Sequence, residues 1–445
     1  MDGLIIGTIG SVALLVFLGM GVHVGVSLGF IGFAGCVAIY AQSVPFVDAV
    51  SMGVALLVNT VFSTATDWVF VVLPLFISMG LLASEAGITE MAYSALAKWV
   101  GNVRGSLGIA TVLGQTAFGV CTGSSIVACT VFAKVSAPAM IHYGYDKKFS
   151  YGLIAGTGSL GMIIPPSVLA IIYGLLSGES IGALFIAGIG PGLLMSALFV
   201  LAIFIIARVR PSLVPPVSIP ATKREKIISL LDLIPIVIVG SVIVYGILSG
   251  IFTATEAGAI GTLAVLLIGL VNRKLKLVNL MPALRATATS TGMVFIIFIL
   301  AKVFSRFMNL SGITPCMIQF IAGLPVQPIF IVLGLVLMYL ILGMLLDGIS
   351  IIVITVPLLV PIVRALNLDM IWFAMVSIIT IECGLITPPV GLNVYAVKGV
   401  AGDDISLEDL FRGSMPFFLV MVATVAFIIA IPPIITWLPA LLTSR

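Results

Sequence analysis

Two clusters of oxygen-bearing side chains interrupt long apolar runs in this sequence. Thr122-Gly123-Ser124-Ser125 forms one cluster, and Asp347-Gly348-Ile349-Ser350 forms the other. Carbonyls, hydroxyls and carboxylates are the oxygen ligands that a hard cation prefers. Short helices that begin at such points would also favour an anionic group at their N-termini. The competing interpretation is close helix–helix packing, which small residues also permit.

Two further segments match each other and carry a Pro-Pro dipeptide. They are residues 158–167 (GSLGMIIPPS) and residues 384–391 (GLITPPVG). A helix interior does not tolerate two prolines, because each removes a donor and collides with the preceding turn. In lipid, the freed carbonyls must be buried in protein or line a polar cavity. Two such breaks at corresponding positions of two halves predict the substrate and ion site of a transporter.

Other motifs are open to more than one interpretation. Residues 156–161 match G-x-G-x-x-G, but a dinucleotide-binding loop needs a preceding strand and a following helix, so the glycines favour an unwound segment instead. Ionisable groups at membrane depth are costly and often functional. Asp347 and Glu382 could polarise a site or fix helix packing, whereas Glu256 lies near the start of a span and suits a helix cap.

The composition indicates a polytopic membrane protein. The 445 residues are 61% hydrophobic and 8% charged, with a mean hydropathy of +1.32, whereas about a quarter of a soluble chain is charged. The net charge of +3 is small, so the composition does not point to a nucleic-acid partner. The cysteines lack CxxC spacing and the two histidines are far apart, so we expect buried, inert thiols and no metal site or organic cofactor. The cysteines are Cys36, Cys121, Cys129, Cys316 and Cys383.

Apolar runs of bilayer length predict ten spans, and two further segments, about 106–140 and 325–361, predict re-entrant hairpins. Basic residues gather on one side of this scheme, which is therefore cytoplasmic, and both termini face outward. Lys302 and Arg306 lie one turn apart near the outer end of a span. They could snorkel, contact a partner or attract an anion. The predicted spans are 3–21, 24–42, 67–85, 149–176, 183–207, 231–249, 253–271, 292–310, 370–397 and 414–436.

The two halves of the chain align with each other. Gly87-Ile88-Thr89 recurs 225 positions later as Gly312-Ile313-Thr314, Gly123 recurs at Gly348 with the same offset, and the Pro-Pro pair recurs after 223 positions. An odd number of spans in each half turns the second copy upside down in the membrane, which predicts an inverted-topology repeat. The predicted organisation is a first repeat at 1–210, a cytoplasmic linker at 211–230 and a second repeat at 231–445.

Together these motifs resemble one family. Residues 123–125, 137–140, 144–146 and 161–167, with 252–257, 342–347, 357–361 and 384–393, are similar to the large permease subunit of tripartite ATP-independent periplasmic (TRAP) transporters, the DctM-like family. The resemblance covers essentially the whole chain. Ala254 departs from it, because the family usually has proline there, and Lys134 lies in a hairpin arm that is usually apolar or small.

The resemblance implies an all-α elevator of the ion transporter superfamily in the bacterial inner membrane, with sodium as the coupling ion. A periplasmic binding protein would deliver an organic acid, such as a C4-dicarboxylate or sialic acid, and a small membrane subunit of about four helices would be an obligate partner. One sodium site would use Gly123, Ser124, Ser125, Thr157 and Gly158, and a second would use Asp347, Gly348, Gly384 and Thr387. Substrate would lie between the tips, near Ser125, Pro165, Ser350, Pro388 and Asn393.

Three alternatives remain open at the level of sequence. A related stand-alone symporter, or the large subunit of a tricarboxylate system, would transport without this binding protein. An intramembrane enzyme would need a nucleophile, a base and an orienting group, and the sequence offers no such set at chemical spacing. A passive channel would conduct without regard to a sodium gradient. Transport rather than catalysis is therefore the prediction.

Overall fold

A computed structural model describes residues 3–101, 103–217 and 222–443, and these ranges contain helices and no β-strand. In lipid every backbone polar group needs an internal partner, which a helix provides. Nine helices of the described ranges are long and apolar enough to cross a membrane, or ten if a pair bent by 42° is one span. The all-α class predicted from composition is therefore confirmed. The termini and residues 218–221 of the predicted linker lie outside the described residues.

The first half, up to residue 210, contains eleven α-helices, and a 3₁₀ turn, Trp68–Val71, precedes the fourth. The helices are α1 Gly3–Gly19, α2 Val24–Tyr40, α3 Phe46–Ala65, α4 Val72–Glu85, α5 Ile88–Val100, α6 Ser106–Thr122, α7 Ser125–His142, α8 Lys147–Thr157, α9 Leu160–Ile163, α10 Val168–Ser177 and α11 Ile181–Val209.

The described residues beyond this point form eleven more α-helices and the 3₁₀ turns Leu230–Leu233 and Gly402–Asp404. The helices are α12 Lys223–Ser229, α13 Ile234–Leu248, α14 Ala254–Val271, α15 Leu277–Leu310, α16 Ile313–Ala322, α17 Pro328–Gly343, α18 Gly348–Ala365, α19 Met370–Gly384, α20 Leu392–Ala401, α21 Leu407–Ala430 and α22 Pro433–Thr443.

The predicted hairpins and broken helices are all present. The first hairpin is α6 with α7, and the second is α17 with α18. The Pro-Pro segments separate α9 from α10 and α19 from α20, and both Pro-Pro bonds are cis. The two halves therefore use the same sequence of hairpin, broken helix and long closing helix, α11 or α21.

Several helices were missing from the sequence-based scheme. Helix α3 was assigned no element, because polar residues such as Asp48, Asn59 and Thr60 recur along it and interrupt the apolar run. The short helices α5 and α16 were also missed, and the span predicted at 292–310 is the second part of the 34-residue helix α15. Hydropathy alone detects continuous apolar runs better than half-buried helices.

The helix caps at the two hairpin tips correct the alignment of the halves. The Ser124 side chain accepts a hydrogen bond from Val127 N at 3.4 Å and caps α7, and Asp347 caps α18 by accepting from Ser350 N at 3.0 Å. Ser124 therefore corresponds to Asp347, 223 positions later, and Gly123 does not correspond to Gly348. The same offset relates the two Pro-Pro pairs, so one register holds from tip to break.

The halves pack against each other reciprocally. Helix α7 of the first half contacts α20 of the second, and α18 of the second contacts α10 of the first. Likewise α2 packs on α15 while α14 packs on α4. This exchange of equivalent contacts is the pattern of two copies related by a two-fold axis. We call α6–α11 with α17–α22 the hairpin group, and α1–α5 with α12–α16 the frame helices.

Candidate functional site

The first hairpin tip lies directly against the first helix break. Gly123 adopts a left-handed conformation (φ +61°), and its carbonyl accepts a hydrogen bond from Val168 N at 3.2 Å, just after the Pro-Pro pair. A Cβ on Gly158 would lie 3.3 Å from Ser125 O, and one on Gly161 would lie 3.1 Å from Ser124 O. The glycines of the break therefore allow the carbonyls of the tip to approach the backbone closely.

The Thr157 hydroxyl is engaged within the first half rather than at the tip. Its Oγ1 donates to Leu153 O at 2.7 Å and also contacts Gln115 Oε1 on α6. The Gln115 amide in turn donates to Ile154 O at 3.3 Å. Gln115 is fully buried and was not among the predicted site residues. A glutamine within the apolar run of α6 was the signal that could have identified it.

The second tip makes a similar contact with the second break. Met344 O, at the end of α17, accepts a hydrogen bond from Val390 N at 3.1 Å. A Cβ on Gly384 would lie 2.5 Å from Gly343 Cα, so α17 and α19 cross with their backbones in contact. Gly348 lies between the halves, because its Cβ would lie 3.0 Å from Leu169 Cδ1 of α10 and 3.3 Å from Ile381 Cγ2 of α19.

The polar side chains at the second tip are engaged locally. The Asp347 carboxylate accepts hydrogen bonds from both Ser350 N and Ser350 Oγ. Thr387 Oγ1 donates to Cys383 O at 2.8 Å and to Gly384 O at 2.9 Å. The structure thus brings Gly384 to the base of the tip, whereas the Thr387 hydroxyl bonds within the break itself and the Asp347 side chain caps α18.

A buried carboxylate joins the two halves beside these contacts. Glu382 Oε1 accepts from Ser125 Oγ of the first tip at 3.1 Å, and Oε2 accepts from Asn393 Nδ2 at 3.2 Å. All three residues are buried. Asn393 Oδ1 has no hydrogen-bond partner in the part of the chain that the structure describes. The sequence singled out Glu382 but not this pairing with Ser125, which lies 257 residues away.

The residues predicted to contact substrate are dispersed in this conformation. A cavity of about 170 Å³ is lined by residues of the tips, of α4 and of α15, and Ser124, Met162 and Ile349 are among them. Pro165 borders a different cavity of about 400 Å³ beside α13, and Pro388 is exposed. Ser350 is bonded to Asp347, and Ser125 and Asn393 to Glu382, as described above.

Two predictions made for other polar residues have clear outcomes. Glu256 forms a capping box with Thr253 at the start of α14, because each side chain accepts from the backbone N–H of the other residue. That role is confirmed.

Cys316 is exposed on α16, so the expectation of a buried thiol is wrong there and holds for the other four cysteines.

Comparison with known proteins identifies the family. A family model described as the DctM component of tripartite ATP-independent periplasmic transporters matches residues 11–434. The C4-dicarboxylate TRAP transporter large permease DctM of Pseudomonas aeruginosa is 30% identical over 85% of this chain and 88% of that protein. The sialic acid TRAP transporter large permease SiaM of Vibrio cholerae is 29% identical over 99% of both chains.

Structural similarity extends to a more distant protein. The YdaH transporter of Alcanivorax borkumensis, described as having an unusual topology, superposes with a TM-score of 0.63 at 14% identity, over 88% of this chain and 90% of that one. This similarity concerns the fold alone. On the basis of the family model and the relatives, the chain belongs to the DctM component family of TRAP transporters and is a multi-pass protein of the bacterial inner membrane.

Proposed function

We propose that this chain is the large membrane subunit of a sodium-gradient-driven TRAP transporter that imports an organic acid. A periplasmic binding protein delivers the acid, and a small membrane subunit completes the complex. The single observation that carries the proposal is the paired arrangement of tip and break. Each half holds a hairpin tip against a Pro-Pro break through one backbone hydrogen bond, Val168 N to Gly123 O and Val390 N to Met344 O.

The oxygen atoms at these contacts support sodium as the coupling ion. A hard cation prefers carbonyl, hydroxyl and carboxylate oxygens, and half-helices at a break leave such carbonyls available. The first proposed sodium site consists of Gly123, Ser124 and Ser125 with the backbone of Thr157 and Gly158. The second consists of Asp347 and Gly348 with Gly384 and Thr387. Glu382 adds a carboxyl group next to the first site through its hydrogen bond with Ser125.

The substrate class rests on the relatives. Four of the names give C4-dicarboxylate, sialic acid, ectoine and 2,3-diketo-L-gulonate, and each of these compounds carries a carboxyl group. A fifth name gives isethionate, which carries a sulfonate instead. An organic acid is the class that all of them share, and an organic carboxylate is the proposed cargo here. Between the two tips, the N-termini of α7 and α18 would favour its negative charge.

The proposed motion is of the elevator type, in which the hairpin group slides against the frame helices. The cavity of about 170 Å³ between the tips and the frame helices α4 and α15 lies at this boundary. A Cβ on Gly80 of α4 would lie 2.7 Å from Thr122 O, so the boundary is close-packed in this conformation.

Reconstitution tests the proposal. The chain and its small membrane partner are placed in liposomes, and the binding protein is added with the acid that it retains on purification. We expect uptake that needs both an inward sodium gradient and the binding protein. Uptake without the binding protein would favour a stand-alone symporter, and flux that ignores the sodium gradient would refute the symport proposal.

Point variants test the two sodium sites. Ser125→Ala and Thr387→Ala should weaken the sodium dependence of uptake and leave folding intact. Thr130→Ala is the matched control, because the hydroxyl of this half-buried residue on α7 bonds, within the described part of the chain, only to its own helix, at Ile126 O and 2.8 Å. If both site variants transport with the sodium affinity of the control, the site assignment is wrong.

A further inference from the structure

A second cavity, of about 630 Å³, lies between the two groups of helices, at the end of the molecule that the charge pattern predicts to face outward. Tyr40 and Thr60, on α2 and α3, form one wall together with residues of α15. Leu176 at the end of α10 and Pro357 in α18 form the opposite wall. Frame helices and the hairpin group therefore both line it. Its volume lies within the range of about 300–1,000 Å³ that is usual for small-molecule sites.

Two cations of α15 line this cavity. Lys302 and Arg306 lie one helical turn apart, and both are lining residues. Among the described residues, neither forms an ion pair within 4 Å or a hydrogen bond, and the lining residues include no Asp or Glu. Asp67 is close enough to attract the Lys302 ammonium electrostatically. Its carboxylate is engaged elsewhere, because it caps the turn Trp68–Val71 by accepting a hydrogen bond from Val69 N at 3.1 Å.

Aromatic rings hold the lysine in place. The Lys302 ammonium lies 5.1 Å from the Phe298 ring centroid and 5.6 Å from that of Phe70, and these two rings pack edge-to-face at 4.7 Å. A cation over a ring face is stabilised by the ring quadrupole. Lys302 is therefore held beside these rings as a half-buried residue of the cavity lining. Arg306 is exposed on the same side of the helix.

We propose that this cavity is an outer capture site for the anionic group of the transported acid. This inference rests on the function proposed above. The guanidinium of Arg306 offers paired donors to a carboxylate, and Lys302 adds a point charge. The acid leaves its binding protein, pairs with Lys302 and Arg306, and then passes to the tips when the wall formed by Leu176 and Pro357 moves with the hairpin group.

The test replaces each cationic side chain with glutamine, which is polar but uncharged. Lys302→Gln and Arg306→Gln are compared with Arg285→Gln, which removes the same charge from an exposed position at the other end of α15. In the reconstituted system, loss of one charge-assisted hydrogen bond should raise the apparent KM for the loaded binding protein about tenfold. The maximal rate and the sodium dependence should stay near wild type.

Two further measurements separate this site from a protein-docking surface. The affinity of the binding protein for liposomes carrying each variant should be unchanged, and a loss that accounts for the higher KM would overturn the proposal in favour of docking. Arg306→Cys in a Cys316→Ser background is then modified at its thiol. A trimethylammonium reagent should restore the KM, whereas a sulfonate reagent should not, and equal effects of the two would also overturn it.

The outcome for the wild type distinguishes this inference from the function on which it rests. If the wild-type complex takes up no acid under a sodium gradient, both proposals fail. If the wild type transports and all three glutamine variants have the same KM, only the capture site is refuted.

Discussion

A pair of glycines marks the crossing of hairpin and broken helix in each half, and the two crossings differ in tightness. A Cβ on Gly343 of α17 would lie 2.8 Å from Ile381 O and 2.9 Å from Gly384 Cα. At the equivalent crossing, a Cβ on Gly119 of α6 would lie 3.1 Å from its nearest neighbour, Leu160 O. Gly334, also on α17, has no heavy atom within 4 Å of the added carbon.

These distances give a graded prediction for alanine substitutions. Carbon and carbonyl oxygen make contact at about 3.3–3.6 Å, so Gly343→Ala must separate α17 from α19 by about 0.5 Å, and Gly119→Ala needs about half of that. Overpacking of this kind costs about 1–3 kcal/mol. We expect a loss of about 2 kcal/mol in the free energy of unfolding for Gly343→Ala and about 1 kcal/mol for Gly119→Ala. Gly334→Ala should be neutral or stabilising, because alanine favours the helix.

Thermal unfolding of the purified variants in detergent, followed by tryptophan fluorescence, checks the order. The midpoint should fall most for Gly343→Ala, less for Gly119→Ala and not at all for Gly334→Ala. Gly343→Ala should also lower transport, because the bond from Val390 N to Met344 O lies beside the crossing. The reasoning is refuted if Gly343→Ala unfolds at the same temperature as Gly334→Ala, or if Gly119→Ala is the least stable of the three.

Substitutions at two further residues test buried hydrogen bonds, again by thermal unfolding. The free energy of unfolding of Glu382→Gln should stay within about 1 kcal/mol of wild type, because Asn393 can turn its unpaired Oδ1 toward the new amide. Glu382→Ala should be clearly less stable, and equal stability of the two variants would contradict this reasoning. Trp372→Phe should lower the free energy of unfolding by about 1–3 kcal/mol, because it removes the Nε1 donor that bonds Ile428 O at 2.9 Å. The usual helical donor to that carbonyl would be the residue four positions later, which is Pro432 and has no N–H. The exposed Trp437→Phe is its control, and a similar loss in both would refute the assignment.

The sequence alone predicted the architecture well where local chemistry decides it. Both hairpins and both broken helices lie within a few residues of their predicted ranges, because apolar length, Gly and Pro-Pro act on the neighbouring backbone. The repeat was also visible, although its register at the tips differed by two residues. The caps formed by Ser124 and Asp347 set that register, and Gly123 and Gly348 misled the alignment.

Only the tertiary structure decided how the side chains pair. The oxygen-bearing residues Ser125, Thr157 and Glu382 are evident in the sequence, but it does not show that Glu382 binds Ser125 while Thr157 turns to Gln115. Likewise, the sequence places Lys302 and Arg306 on one helix face, and only the fold sets them in a cavity. The physical reason is the distance along the chain over which each effect acts. Hydropathy and proline act over one or two helical turns, whereas these contacts depend on how helices from distant parts of the chain cross.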